Sequence, residues 1–241
     1  MKSLPVFVII PAHNEAPTIG KVIAKIRQLY PMARTAVIND GSVDDTECEA
    51  TQAGASVITL PFNAGYGVAL QTGLIWAKRQ GARLVVTLDA DGQHDPAEIE
   101  KILGPVASGD ADLALGSRYL ENGCRYRIPV MRRVGALVFA KVISRLMNQV
   151  ITDPTTGFQC LNSKVLDLYV GLSDFPDKTP DADLILYAHF QACRVVEVPV
   201  SMYADEGKDS MHGFFKSIFY GPKMLIAMLG IVLARTVRKE P

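Results

Sequence analysis

The sequence predicts an α/β protein with a mostly parallel central sheet flanked by helices. Three observations predict it. Short apolar runs, several rich in β-branched residues, recur at Val6–Ile10, Ala36–Ile38, Val57–Leu60, Leu84–Leu88 and Leu113–Leu115. Stretches of helical periodicity separate them, and strands alternating with helices of about 10–15 residues build βαβ units. Finally, the first, second and fourth runs each end in polar residues: Asn14/Glu15, Asn39/Asp40 and Asp89/Asp91. Strand ends of this kind on one edge of a parallel sheet define a single ligand cleft.

The elements follow in chain order. Val6–Ile10 reads as a buried strand, and Pro17 suits the first turn of the next helix. Ile19, Val22, Ile23, Ile26 and Leu29 carry its apolar face. Ala36–Ile38 is the second strand, after which Asp44 or Asp45 caps a helix to about Gly54. Val57–Leu60 is the third strand, and Gly65–Arg79 is helical with Trp76 as a core residue. Leu84–Leu88 is the fourth strand, Pro96 opens a helix to about Val106, and Leu113–Leu115 is the fifth strand. The second half is less regular. It carries a helix over Met131–Gln149, a strand over Phe158–Leu161, helices over Ser163–Tyr169 and Asp181–Gln191, and a last strand over Val195–Val200.

A chain of 241 residues makes one large domain or a domain with an appendage. Residues 1–210 form the α/β domain and 211–241 a helical appendage. That tail is apolar, but its longest uncharged run, Met224–Ala234, has eleven residues, against about 20 for a membrane span. Basic residues Arg235, Arg238 and Lys239 follow it. The segment therefore lies on an anionic membrane surface or packs in an interface, including that of a homo-oligomer. Net charge is zero, which gives no basis for a nucleic-acid partner. The four cysteines are scattered, as in a cytosolic protein with reduced thiols. The five-residue apolar run near the N-terminus ends in Pro11 and is too short for a signal peptide.

Asp89 and Asp91 carry the chemistry. Two residues apart at a strand end, they point the same way if strand geometry persists through Ala90. Two carboxylates there suit a hard cation such as Mg²⁺ or Mn²⁺, which also takes phosphate oxygens. Asp-Gly is equally a turn signal. Downstream, Arg118–Arg145 holds seven basic residues against one acid, Glu121. The run starts at a strand end, Gly116-Ser117-Arg118, where guanidinium groups suit an anion. His94 is either a neighbour of a bound diphosphate or an exposed loop histidine.

Taken together, Ile9-Ile10-Pro11-Ala12-His13-Asn14-Glu15, Asn39-Asp40-Gly41-Ser42-x-Asp44, Asn63-x-Gly65-x-Gly67-x-Ala69, Asp89-Ala90-Asp91-Gly92-Gln93-His94, Gly116-Ser117-Arg118 and Asp153-x-x-Thr156-Gly157-Phe158 resemble the family 2 glycosyltransferases. The narrower resemblance is to the polyprenyl-phosphate sugar transferases, the dolichyl-phosphate mannosyltransferase-like group. It covers roughly residues 5–205. It implies a GT-A fold, a nucleotide-sugar donor and inversion at the anomeric carbon. It also implies nucleotide binding by Pro11, Ala12, Asn14, Glu15, Asp40, Gly41, Asp89 and Ala90. Metal would be bound by Asp89, Asp91 and Gln93, with Asp91, Arg118 and Arg132 catalytic.

The acceptor implied is a polyprenyl phosphate at the cytoplasmic membrane face, in cell-envelope glycan or glycoconjugate synthesis. The protein would then be peripheral to that face. Arg133 and Lys208 are candidate acceptor contacts. A phosphate acceptor is largely dianionic at pH 7 (second pKa of about 6) and needs no general base; a hydroxyl acceptor does. Asp181 and Asp183 lie where hydroxyl-directed relatives place that base, or else are acids complementing a helix dipole. The spanning helices of many bacterial members of the group do not appear, so a small membrane-protein partner would supply the anchor. A silent nucleotide-sugar-binding subunit is disfavoured by the intact Asp89, Asp91, Gln93 and Arg118. A phosphatase of the Asp-x-Asp type would need its aspartate after the first strand, where Pro11-Ala12-His13 stands.

Overall fold

The computed structural model describes residues 5–122, 130–176 and 180–203. The candidate appendage 211–241 and Lys208 lie outside the described residues. Among the described residues, seven strands form one sheet: β1 (Val6–Ala12), β2 (Arg34–Asn39), β3 (Ser56–Thr59), β4 (Leu84–Thr87), β5 (Leu113–Ser117), β6 (Gln159–Asn162) and β7 (Val195–Pro199). Their spatial order is β3-β2-β1-β4-β6-β5-β7. All pairings are parallel except those of β6, which runs antiparallel to both β4 and β5. The expected mostly parallel sheet is therefore present, with one inserted antiparallel strand that the pattern of apolar runs did not reveal.

That insertion matters for the site. A strand running the opposite way begins at the edge where its neighbours end. The loop that precedes β6, Asp153–Phe158, is thus delivered beside the ends of β4 and β5. Beyond β7 the chain continues at the same edge, where Met202 bridges His94 and the Tyr203 N–H donates to the Gln93 carbonyl at 3.0 Å.

Among the described residues, seven α-helices cover the sheet: α1 (Ala16–Leu29), α2 (Thr46–Gln52), α3 (Tyr66–Arg79), α4 (Ile99–Ala107), α5 (Val130–Met147), α6 (Ser163–Val170) and α7 (Pro180–Phe190). Side chains alternate across β1, and each face buries its own core. Val8 and Ile10 pack with Ile19, Ile23 and Ile26 of α1 and Ile99 and Ile102 of α4. Phe7 and Ile9 pack with Leu74 of α3, Ile143 of α5, Tyr169 of α6 and Ile185 of α7. Trp76 meets Phe7 edge-on, ring centres 5.8 Å apart, as a core residue should.

Of the two residues expected to cap α2, Asp44 is the one that does. Asp45 occupies the N-cap of α2 but makes no capping bond. The Asp44 carboxylate does the work instead, accepting from the Thr46 N–H at 3.1 Å and the Ala16 N–H at 3.2 Å. One carboxylate thereby satisfies orphan donors at two helix N-termini, pinning the β1–α1 and β2–α2 loops together.

Gly73 shows how closely α3 lies on the sheet. A Cβ there would stand 2.3 Å from Ile9 Cγ2 and 3.1 Å from Ile38 Cγ1. Gly73→Ala should therefore overpack this face and cost about 1–3 kcal/mol. Urea titration would show a lower midpoint at unchanged slope; an unchanged midpoint would contradict this packing.

Candidate active site

The ends of β1, β2 and β4 open into one cleft of about 320 Å³, lined by Pro11, Ala12, His13, Glu15, Asp40, Asn63, Tyr66, Ala69, Asp89, Ala90 and Asp91. Six of the eight residues expected to bind nucleotide line it: Pro11, Ala12, Glu15, Asp40, Asp89 and Ala90. The other two shape the loops behind it. Asn14, at φ 56°, accepts from the Val43 N–H through its side-chain oxygen at 2.9 Å. Gly41, at φ 60°, lies so close to Phe62 that a Cβ would stand 2.4 Å from its carbonyl carbon. Asp40 is nearly buried, and its two oxygens accept from the Ala64 and Gly65 N–H groups at 2.7 and 2.9 Å. It thus anchors the start of α3 as well as lining the cleft.

Asp89 and Asp91 follow β4 and are both half-buried. The Tyr66 hydroxyl donates to Asp89 Oδ1 at 3.3 Å, and Asp91 Oδ1 accepts from the Gln93 N–H at 2.9 Å. Gly157 makes the crowding around Asp89 possible. A Cβ there would meet the Tyr66 hydroxyl at 2.8 Å and Asp89 Oδ1 at 3.0 Å. The Thr87 hydroxyl donates to the Gly157 carbonyl at 2.7 Å and ties that loop to β4. Burial pushes the Asp89 carboxyl above the usual carboxylate range, with Arg118 and Tyr66 pulling it back.

This donor set fits a divalent cation of the Mg²⁺ or Mn²⁺ kind. The oxygens are hard, and a cation would offset the desolvation of Asp89. Among the described residues no three acidic, histidine or cysteine side chains cluster as a self-sufficient metal cage. A cation held by one or two carboxylates, with a substrate's phosphates completing its shell, is the arrangement Mg²⁺ prefers.

Arg118 follows β5 directly. Its Nε donates to Asp153 Oδ2 at 2.7 Å, with side-chain exposures of 11% for Arg118 and 0% for Asp153. The Arg118 backbone N–H donates to the same oxygen at 3.2 Å. Sequence reasoning placed Asp153 in a motif without a role, and Glu197 in none. Glu197 on β7 accepts from the Thr152 and Asp153 N–H groups, each at 2.7 Å. Burial pushes its carboxyl up while those bonds pull it back. Arg132 and Arg133 fall on the first turn of α5, where their side chains lie outside the described residues.

Asp181 and Asp183 occupy the first turn of α7. Their positions at the helix start match the dipole reading, yet Asp181 also belongs electrostatically to the site. Burial pushes its carboxyl up to about 8, with Asp89, Asp153 and Asp183 adding to the rise and Arg118 opposing it. Asp183 is 5% exposed, its Oδ1 has no hydrogen-bond partner, and burial pushes it up to about 6.

His94 is a buried structural residue rather than an exposed loop histidine. It is 3% exposed, stacks on Phe158 with ring centres 5.1 Å apart, and accepts the Asp89 N–H on Nδ1 at 3.0 Å. That role requires an unprotonated Nδ1, and burial lowers its pKa from 6.5 to about 4. The 3.6 Å approach to Asp89 Oδ2 is therefore the contact of a neutral ring and not an ion pair. Because the folded value lies below the unfolded one, the neutral ring's contribution is complete above pH 6.5 and is lost as pH falls toward 4. His94→Gln removes this titration. Wild-type stability relative to the variant should decline across that window in metal-free denaturant titrations, and a pH-independent difference would contradict the neutral ring.

The sequence profile described as glycosyl transferase family 2 matches residues 7–169. The chain is 32% identical to the polyprenol monophosphomannose synthase of Mycolicibacterium smegmatis, over 86% of this chain and 80% of that one. It is 28% identical to the UDP-N-acetylglucosamine–dolichyl-phosphate N-acetylglucosaminyltransferase of Methanococcus voltae, over 95% and 98% of the two chains. A crystal structure of glucosyl-3-phosphoglycerate synthase from Mycobacterium tuberculosis, with Mn²⁺, UDP and phosphoglyceric acid, superposes with a TM-score of 0.74 at 21% identity, covering 95% of this chain and 78% of that one. The chain has the α/β architecture of the GT-A glycosyltransferases, and it belongs to glycosyl transferase family 2.

Proposed function

We propose that this chain is an inverting glycosyltransferase that moves a sugar from a UDP- or GDP-sugar to a polyprenyl phosphate at the cytoplasmic membrane face. The reading assigns Mg²⁺ or Mn²⁺ to Asp89 and Asp91, with Gln93 beside them. One observation carries it: the acidic strand end, Asp89 and Asp91, lines a cleft walled by the β1 and β2 loops, and Arg118, fixed by Asp153, is close enough to draw the Asp89 carboxyl down.

The reaction breaks a sugar–diphosphate bond and leaves negative charge on the diphosphate. A divalent cation, when bound, supplies charge to stabilise that leaving group. Arg118, held on Nε by Asp153, is the guanidinium assigned to the same anion. Pro11, Ala12, Glu15 and Asp40 wall the part of the cleft assigned to base and ribose. An incoming phosphate needs no proton removed. The two curated relatives are named for transfer to polyprenol or dolichyl phosphate, which supports that acceptor. No described helix is long and apolar enough to cross a membrane, so contact with a membrane-borne acceptor is assigned to the tail or to a small membrane-protein partner.

The electrostatic coupling of Asp181 to Asp89 and Arg118 favours one second reading, a hydroxyl acceptor with Asp181 as general base. Mass spectrometry after incubation with UDP- and GDP-sugars, Mg²⁺ or Mn²⁺ and a short polyprenyl phosphate separates the two. A glycosyl-phosphoprenol should form, fall about 100-fold or more in Asp91→Ala, and persist within a few-fold in Asp181→Asn. No lipid product from any donor, with Asp181→Asn abolishing transfer to a hydroxyl acceptor, would overturn the lipid-phosphate reading.

A further inference from the structure

We infer that Glu197 is a positioning residue, which fixes Arg118 for the donor diphosphate through the Thr152–Asp153 turn; this rests on the donor reading above. Glu197 lies on β7, opposite Leu115 of β5 and two residues before the pairing of Pro199 with Ser117. Its side chain reaches the turn that precedes Pro154. Oε1 accepts the Asp153 N–H at 2.7 Å. Oε2 accepts the Thr152 N–H at 2.7 Å and the Thr152 hydroxyl at 3.0 Å. The Thr152 hydroxyl also lies 2.6 Å from the Ser117 hydroxyl, next to Arg118 in sequence. Asp153, fixed from behind, presents Oδ2 to both the backbone and the Nε of Arg118.

The choice of residue argues for this role. Only a carboxylate offers enough acceptor sites for three converging donors at these positions. An amide would turn an NH₂ group toward one of the N–H donors. As a fold element the arrangement has a cost: a half-buried carboxylate accepting from neutral donors, in a strand already held by its backbone pairing to β5. An apolar side chain would avoid that desolvation but leave the Thr152 and Asp153 N–H groups without their acceptor. What the carboxylate adds is direction. Glu197 fixes the Asp153 backbone, and Asp153 in turn holds both the backbone N–H and the Nε of Arg118. Such supporting bonds matter because a misplacement of about 1 Å at a reacting centre can cost two orders of magnitude in rate.

The test is a double-mutant cycle between Glu197→Gln and Arg118→Ala, read by calorimetric binding of UDP and GDP with Mn²⁺. Uridine and guanosine, which lack phosphates, serve as controls in competition. Glu197→Gln should weaken nucleoside diphosphate binding about tenfold and leave nucleoside binding unchanged. In the Arg118→Ala background the same substitution should cost no more than about twofold. An equal loss in both backgrounds, or an equal loss for nucleosides, would make Glu197 merely structural and overturn the inference. If Glu197→Gln fails to fold, Thr152→Val, which removes only the hydroxyl bridge, is carried through the same cycle and judged by the same criteria. Wild-type protein that binds no nucleoside diphosphate would overturn the proposed function itself, whereas tight wild-type binding with additive variants overturns only the role of Glu197.

Discussion

The site depends on one buried ion pair, Arg118 Nε on Asp153 Oδ2 at 2.7 Å. A covered carboxylate is costly unless it is paired and hydrogen-bonded, and Asp153 is both. Its negative charge keeps the guanidinium turned inward beside Asp89. Without it, Arg118 would have a shell of water to prefer over the cleft. The carboxylates Asp89 and Asp181 in turn depend on positive charge in their midst. Asp89 and Asp181 are both pushed up by burial and both relieved by Arg118. In isolation the acidic cluster is a strained arrangement. On the proposed function, a cation and a diphosphate whose charges complement each other and the protein would relieve it.

The sheet topology is what brings these groups together. Parallel strands β1, β2 and β4 deliver the loops that wall the cleft at one edge. The antiparallel β6 begins at that same edge, so Asp153–Phe158 closes over β4 from the far side. Thr87 bonding to Gly157, and Phe158 stacking on His94, lock that loop to the end of β4. The surroundings of Asp89 are thus built from contacts between sequence-distant turns, with glycine at 157 where a Cβ would stand 2.8 Å from the Tyr66 hydroxyl and 3.0 Å from Asp89 Oδ1.

Much of this was legible in the residues. The strand runs, the helix starts at Pro17 and Pro96, and the acidic end of β4 follow from local periodicity and turn chemistry. The cleft residues Pro11, Ala12, Glu15, Asp40, Asp89 and Ala90 came from motifs at those strand ends. What stayed hidden was long-range. The antiparallel sense of β6 leaves no mark in a four-residue strand. Glu197 stands in an ordinary Val-Val-Glu-Val-Pro strand, where alternation reads it as the solvent-facing member; its three donors come from residues about 45 positions away, as with Thr152, at a separation of 45. Asp44 outcompeted Asp45 as the cap because it also reaches Ala16 on a different helix, a contact invisible to local rules. His94 looked like a loop residue because its covering partner, Phe158, lies far along the chain.

The central claim is that the end of β4 and Arg118 together hold a metal-bound nucleoside diphosphate. The most direct measurement is paramagnetic broadening of backbone amide signals by Mn²⁺ in the presence of UDP or GDP. The account predicts loss of the signals of Asp89 to Gln93, of Arg118 and of Gly157 at substoichiometric Mn²⁺, with the α4 and α6 signals preserved and the effect absent in Asp91→Ala. Broadening centred elsewhere, or broadening that survives Asp91→Ala unchanged, would contradict it.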